Sequence, residues 1–341
     1  MNTFPLIRLR FAALATALTS LLAVALGGCM SAPSSSAPSS SAPVVAAAPL
    51  ASGTGFVYSA NEGEDSISRI DLATGQVTTM PVPVTPHNVQ ISRDGSRLFV
   101  VGSMAGQTKM AATTAAPAGD GHAASQQPGG LLILDAAAAN AALATLVQVG
   151  RAPAHVIVDT LAARAYVSNS DDDSVSVVDT ARGRVVGSIP TAASPHGLRM
   201  SPDGREIYVA ATKGNAVSVI DVATSREVIR IPIGKAPVQV GFTPDGTRVY
   251  VSLRDDNAVA MVDTRTRGIV TTIHSSQRGR EEQTTDRGVH GVVVSDDGSR
   301  VFVANTFAGT VSTIDAATKR VIGTMRVGNS PGGITYRPAP R

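Results

Sequence analysis

Tryptophan is absent from this chain of 341 residues, cysteine occurs once, and aromatic side chains make up only 4% of it. The lone Cys29 excludes an intramolecular disulfide framework and a metal cluster built on thiolates. There is no Gly-x-Ser-x-Gly elbow, no phosphate-binding loop and no His-Glu-x-x-His pair, so the common serine-nucleophile, nucleotide and zinc-protease chemistries have no signature here. Charge of one sign is lacking too. The formal net charge of +3 falls to about +1 once Arg8 and Arg10 are removed with the N-terminal leader described below. With no basic run anywhere, the chain carries no electrostatic footprint for nucleic acid.

What is present is repetition. The stretch from Pro195 to Ala236 is spelled, with variations, six times after Gly53. A unit of about 40 residues made of four short strands is the mark of a β-propeller. Ile207-Tyr208-Val209 and Val217-Ser218-Val219-Ile220 are β-branched and aromatic runs bounded by turn residues, which predicts strands. Ser201-Pro202-Asp203-Gly204 predicts a tight turn: Pro presets φ, Asp bonds its own backbone and Gly takes positive φ. The unit therefore reads as strand a (His196–Met200), strand b (Glu206–Ala211), strand c (Ala216–Asp221) and strand d (Glu227–Ile233). Such a sheet is apolar on both faces and must stack on its neighbours.

An Asp that ends strand c recurs as Asp71, Asp135, Asp179, Asp221, Asp263 and Asp315, and its role is read as turn capping. Successive pairs are about 40 residues apart except for two longer intervals, which mark insertions. The expectation is an all-β fold, a six-bladed β-propeller of four-stranded antiparallel blades. Seven blades is the alternative, with a degenerate sheet hidden between Met104 and Gly130. Phe56–Asn61 reads as a strand b and Gly332–Tyr336 as a strand a, so the C-terminal strand is expected to complete the first blade and close the ring.

The strand-b segments are Tyr58-Ser59-Ala60-Asn61, Tyr166-Val167-Ser168-Asn169, Tyr208-Val209-Ala210-Ala211, Tyr250-Val251-Ser252-Leu253 and Phe302-Val303-Ala304-Asn305, with Phe99-Val100-Val101 a weaker copy. Together with the Pro-His-Gly that opens strand a, they resemble the YVTN family of β-propeller repeats over nearly everything after Gly53. The resemblance implies the fold and a bacterial surface or periplasmic setting. It implies no particular activity. Two positions depart from the pattern: Asp159-Thr160-Leu161-Ala162 replaces the Pro-Asp-Gly turn, and Val238 replaces the usual His. The absence of tryptophan separates the chain from WD40 blades and from the tryptophan-docked blades of quinoprotein dehydrogenases, so nothing signals PQQ.

Residues 1–28 read as a secretory signal peptide, with Arg8 and Arg10 ahead of an apolar stretch from Phe11 to Leu26. Leu26-Gly27-Gly28-Cys29 resembles a bacterial lipobox, which implies cleavage before Cys29 and diacylation of its thiol. Acyl chains would supply the membrane attachment. Met30, where an Asp would signal retention at the inner membrane, implies the outer membrane facing the periplasm, with surface exposure as the alternative. Residues 29–53 then form a Ser/Ala/Pro tether that cannot bury a core, and residues 54–341 form the propeller.

Strands of a blade alternate in direction, so b–c and d–a loops share one face of the disc. Both insertions, Met104 to Gly130 and Ser275 to Gly288, fall on that face. Long loops on one end of a rigid scaffold are where binding surfaces are built. His87, His196 and His290 each lie twelve residues before a strand-b aromatic, which places them at the start of innermost strands on alternate blades. His155 sits one position beyond the matching Ala154 and would be a fourth ligand. A ring of imidazoles can hold a metal ion with an open position. It is similar in placement to the copper site of the nitrous oxide reductase propeller, whose full ligand set is not matched. The competing reading is that Pro-His-Gly simply packs against, or hydrogen-bonds, the neighbouring blade. Asp171-Asp172-Asp173 and Asp255-Asp256 are weaker candidates for calcium, and Met104, Met110 and His122 for copper. A lipid-anchored binding or scaffold module that engages an envelope protein or polymer is the favoured expectation. A metal-binding protein or metal-dependent enzyme, lyase- or lactonase-like or a redox accessory, is the alternative.

Overall fold

Short β-branched runs separated by tight turns fold into six antiparallel sheets. The structure, a computed structural model, describes residues 56–71, 74, 76–104, 127–136, 145–274, 288–326 and 334. The leader, Cys29, the tether, most of both insertions and nearly all of the expected closing strand lie outside the described residues. The first sheet holds β1 (Phe56–Asn61), β2 (Ser66–Asp71) and β3 (Val77–Pro81), with a 3-10 turn at Glu62–Glu64. The second holds β4 (Val84–Ile91), β5 (Arg97–Met104), β6 (Pro128–Asp135) and β7 (Thr145–Arg151). The third holds β8 (Pro153–Val158), β9 (Arg164–Asn169), β10 (Ser174–Asp179) and β11 (Arg184–Pro190). The fourth holds β12 (Pro195–Met200), β13 (Glu206–Ala211), β14 (Ala216–Asp221) and β15 (Arg226–Pro232). The fifth holds β16 (Pro237–Phe242), β17 (Arg248–Leu253), β18 (Ala258–Asp263) and β19 (Ile269–His274). The sixth holds β20 (Val289–Val294), β21 (Arg300–Asn305), β22 (Thr310–Asp315) and β23 (Arg320–Arg326). Six sheets in simple up-and-down order, each strand paired with the next, form a β-propeller, consistent with six blades. β5 pairs directly with β6, so the first insertion is a b–c loop.

The core lies between the blades. One apolar cluster joins Phe99, Leu131 and Val147 of the second sheet to Val156 and Val167 of the third. Others join the third to the fourth through Tyr166 and Leu198, the fourth to the fifth through Tyr208 and Val249, and the fifth to the sixth through Tyr250 and Val303. Phe99, Tyr166, Tyr208 and Tyr250 are fully buried, which is why the third residue of each of these b strands is aromatic: it fills the wedge between sheets. Phe242 meets Tyr208 edge-on at 5.0 Å between ring centroids.

Polar residues of the repeat serve turns and seams. Asp221 accepts hydrogen bonds from the Thr224 backbone N–H and hydroxyl, and Asp315 does the same with Thr318, as the capping reading expects. The b–c turns place Asp173, Asn215 and Asn257 at φ 48°, a left-handed conformation these residue types tolerate. From there each accepts a backbone N–H from the segment entering the next blade: Ser194, Ala236 and Gly288. The outer strands carry a bulge that leaves Val186, Val228, Val270 and Ile322 as extra, exposed residues. Bulges twist an edge away from pairing with another chain, which protects the rim of the disc.

The a–b turns are held by carboxylates. Asp94 accepts from the Ser92 hydroxyl and the Ser96 N–H, and Asp297 from the Ser295 hydroxyl and the Ser299 N–H. These bonds, the serine hydroxyls foremost, lower both pKa values from 3.8 to about 2. A carboxyl whose pKa is depressed on folding stabilises the fold above its unfolded pKa, and that stabilisation is lost as pH falls through the folded value. Urea titrations between pH 5 and 2 should therefore show falling stability in the window from about 3.8 to about 2. The slope should be shallower in an Asp94→Asn/Asp297→Asn variant.

Candidate functional site

The innermost strands do not run regularly. In β8, β12, β16 and β20 the pairing to the next strand slips by one residue just after the first position, and in β4 just after Pro86. A bulge re-aims the side chains at its extra residue. The bulged positions are His87 in β4, Ala154 and His155 in β8, His196 and Gly197 in β12, Val238 and Gln239 in β16, and His290 and Gly291 in β20. The irregular backbone is satisfied by the Ser of the strand-b motif. The Ser168 hydroxyl accepts from the His155 N–H at 3.0 Å and donates to the His196 carbonyl of the next blade at 2.6 Å. Ser252 plays the first of these parts for Gln239.

Four of the six histidines consequently meet at the axis. Ring centroids are 4.9 Å apart for His155 and His196, 5.4 Å for His87 and His196, 5.6 Å for His87 and His155, and 5.6 Å for His196 and His290. One ligand nitrogen from each of His87, His155 and His196 lies within 4.8 Å of the other two. The sequence expectation centred the ring on His87, His196 and His290, with His155 added. In the structure the tight group is His87, His155 and His196, because the bulge gives both of its residues access to the axis.

Second contacts orient these rings. His196 Nδ1 faces the Val238 carbonyl at 3.2 Å, which makes Nδ1 the protonated nitrogen and leaves Nε2 with the lone pair. This is the neighbour-blade hydrogen bond of the competing reading, and it is also what a ligating His requires. Gln239 Nε2 approaches His155 Nδ1 at 3.5 Å, a long contact that a stronger partner can displace. Glu62 Oε2 lies 3.6 Å from His87 Nδ1 at the edge of the cluster. Burial, and then the neighbouring His196, His87, Arg199 and His290, push the His155 pKa well below its ordinary value. His155 is therefore a neutral imidazole at neutral pH, the form that binds metal.

Gln239 and Arg199 are absent from the sequence expectation. Gln239 lies eleven residues before Tyr250, the same spacing as His155 before Tyr166, and that shared count is the signal for it. The other sequence candidates have structural partners. Asp172 pairs with Arg151 at 2.5 Å, Asp173 caps Ser194, and Asp256 accepts the Lys235 N–H. Met104 packs against the core between the first two sheets, while Met110 and His122 lie outside the described residues. A depression on the opposite, tight-turn face is lined by Gln90, Arg93, Asp159, Thr160 and Met200. Its Asp159 is engaged with the Ala163 and Arg164 backbone, so it offers no converging ligand set.

Residues 141–341 match the family model described as YNCE-like beta-propeller. No curated protein matches the chain. Among solved structures, it is similar to a chain titled Kuenenia stuttgartiensis hydrazine synthase, at 20% identity and a TM-score of 0.49, over 73% of this chain and 88% of that one.

Gly197 holds the site closed. A Cβ there would lie 2.3 Å from Gln239 Oε1 and 2.4 Å from the Val238 carbonyl oxygen, backbone that cannot retreat. Gly197→Ala should cost about 1–3 kcal/mol by overpacking. In urea denaturation it should lower the midpoint, and the His196 imidazole resonances should shift in NMR.

Proposed function

The chain belongs to the YNCE-like β-propeller family, and from that premise we propose that it is a lipid-anchored binding module of the cell envelope whose ligand site is the imidazole cluster at the propeller axis. The cluster binds a transition-metal ion through His87, His155 and His196. The observation that carries this reading is the convergence of three ligand nitrogens, from three separate blades, within 4.8 Å. Nitrogens on one tetrahedral ion at about 2.0–2.1 Å lie about 3.3 Å apart, so small ring rotations close the set. Imidazole donors suit zinc, copper, iron or nickel, and three of them leave a position open for a further ligand. His290, beside His196, is a reserve donor. Anchorage rests on the lipobox at Cys29, and the tether would set the propeller off the outer membrane on its periplasmic side. In that position the loop-rich face is turned to an envelope protein or polymer.

Elemental analysis of the full chain, purified in detergent and reconstituted with zinc or copper, should give close to one ion per chain. A His87→Ala/His155→Ala/His196→Ala variant with unchanged circular dichroism should bind at least a hundredfold more weakly. Folded wild type that takes up no ion would refute the metal site. Separately, a Cys29→Ser variant should lose fatty-acid labelling and leave the membrane fraction.

A further inference from the structure

Below the imidazoles, the axis carries a charge without a counter-charge. The residues that pair with the strand-b aromatics on the innermost strands are Gln90, Ile157, Arg199, Gly241 and Val293. Arg199 is the one charged side chain in this layer among the described residues. It is half-buried, it acts electrostatically on His155 one blade away, and its hydrogen bond is a long one to the Leu198 carbonyl at 3.3 Å. No carboxylate lies within ion-pair distance of it among the described residues. Arginines elsewhere are paired, as Arg248 is with Asp263 at 2.5 Å and Arg300 with Asp315 at 2.6 Å.

A guanidinium does not deprotonate in a protein, and withdrawing it from water without a partner is unfavourable. Its planar fork is matched by two oxygens of a carboxylate or phosphate. Gly241 stands in the same layer, on the next blade. Gly241 has no side chain, and a Cβ placed there would meet nothing nearer than the Val292 carbonyl oxygen at 3.4 Å. Above stand four imidazoles and the Gln239 amide, and among the described residues the carboxylate paired with the cluster is Glu62, at its edge beside His87.

We propose that the axis is a binding site for a small oxyanion, a carboxylate or a phosphate-type group, held by Arg199 from below and by the imidazole layer from above. The site deepens the proposed reading of the imidazole cluster: where a metal is bound, the same anion completes its open position. It does not depend on the metal, because the Arg199 guanidinium supplies N–H donors by itself.

The test is calorimetric titration of inorganic phosphate and of acetate into the full chain, metal-loaded and metal-free, in a chloride buffer, with thermal melts alongside. Wild type should bind at least one of the two saturably and melt higher in its presence. Arg199→Gln should weaken that binding at least tenfold while taking up metal as wild type does, and Arg199→Lys should recover part of the loss. Gly241→Leu, which keeps Arg199 and fills the space beside it, should also abolish binding, and serves if Arg199→Gln does not fold. Anion binding in a protein that takes up no metal would leave this site standing and the metal reading refuted. Wild type that binds neither anion in either form, or Arg199→Gln with unchanged affinity, would overturn the proposal.

Discussion

A sheet that is apolar on both faces has nowhere to go except between two others. Each blade here presents β-branched and aromatic side chains on both sides, so its burial depends on a neighbour at either hand. Stacking with the natural twist of strands bends the series around an axis, and the first strand of each blade is drawn inward. The remaining features follow from that crowding. Strand b needs an aromatic wedge because the gap between blades widens outward. The seam residues Asp173, Asn215 and Asn257 reach forward to the next blade because the chain enters it there.

At the axis the same crowding acts on the backbone. Innermost strands contact one another, and a bulge lets each one set two consecutive residues near the centre rather than one. Where those residues are His and Gly, the ring enters and the glycine makes room for the next blade, as Gly197 does for Gln239. Ser168 of the strand-b motif ties the bulge of its own blade to that of the next. A motif that looks like simple repetition is thus a support for the side chains at the axis.

Electrostatics at the axis are unbalanced in one direction. Burial keeps His155 neutral, a guanidinium such as Arg199 keeps its proton, and among the described residues the carboxylate paired with the cluster, Glu62, stands at its edge. Carboxylates are abundant elsewhere, but they are spent on turns, where Asp94, Asp203, Asp245 and Asp297 each accept local donors. Those turn carboxylates are engaged locally, whereas the Arg199 guanidinium at the axis leaves a ligand something to complete.

The repeat was open to reading from the chain because strand period, turn chemistry and the Asp after strand c are local, and each copy confirms the others. Strand b and strand c of the fourth blade fall at the same residues in sequence and structure. The His positions were open to the same counting, since a fixed distance from a buried aromatic means a fixed height along the axis. What counting missed was the bulge. Bulging changes which residues face inward without changing their spacing, so His155 read as one place out of step, and Gln239 and Arg199 did not stand out. The chain alone determined an all-β propeller and the strands that bear its histidines. Only the tertiary structure decided that His87, His155 and His196 converge and that Arg199 has no carboxylate partner among the described residues, because both depend on distances across blades that no local pattern encodes.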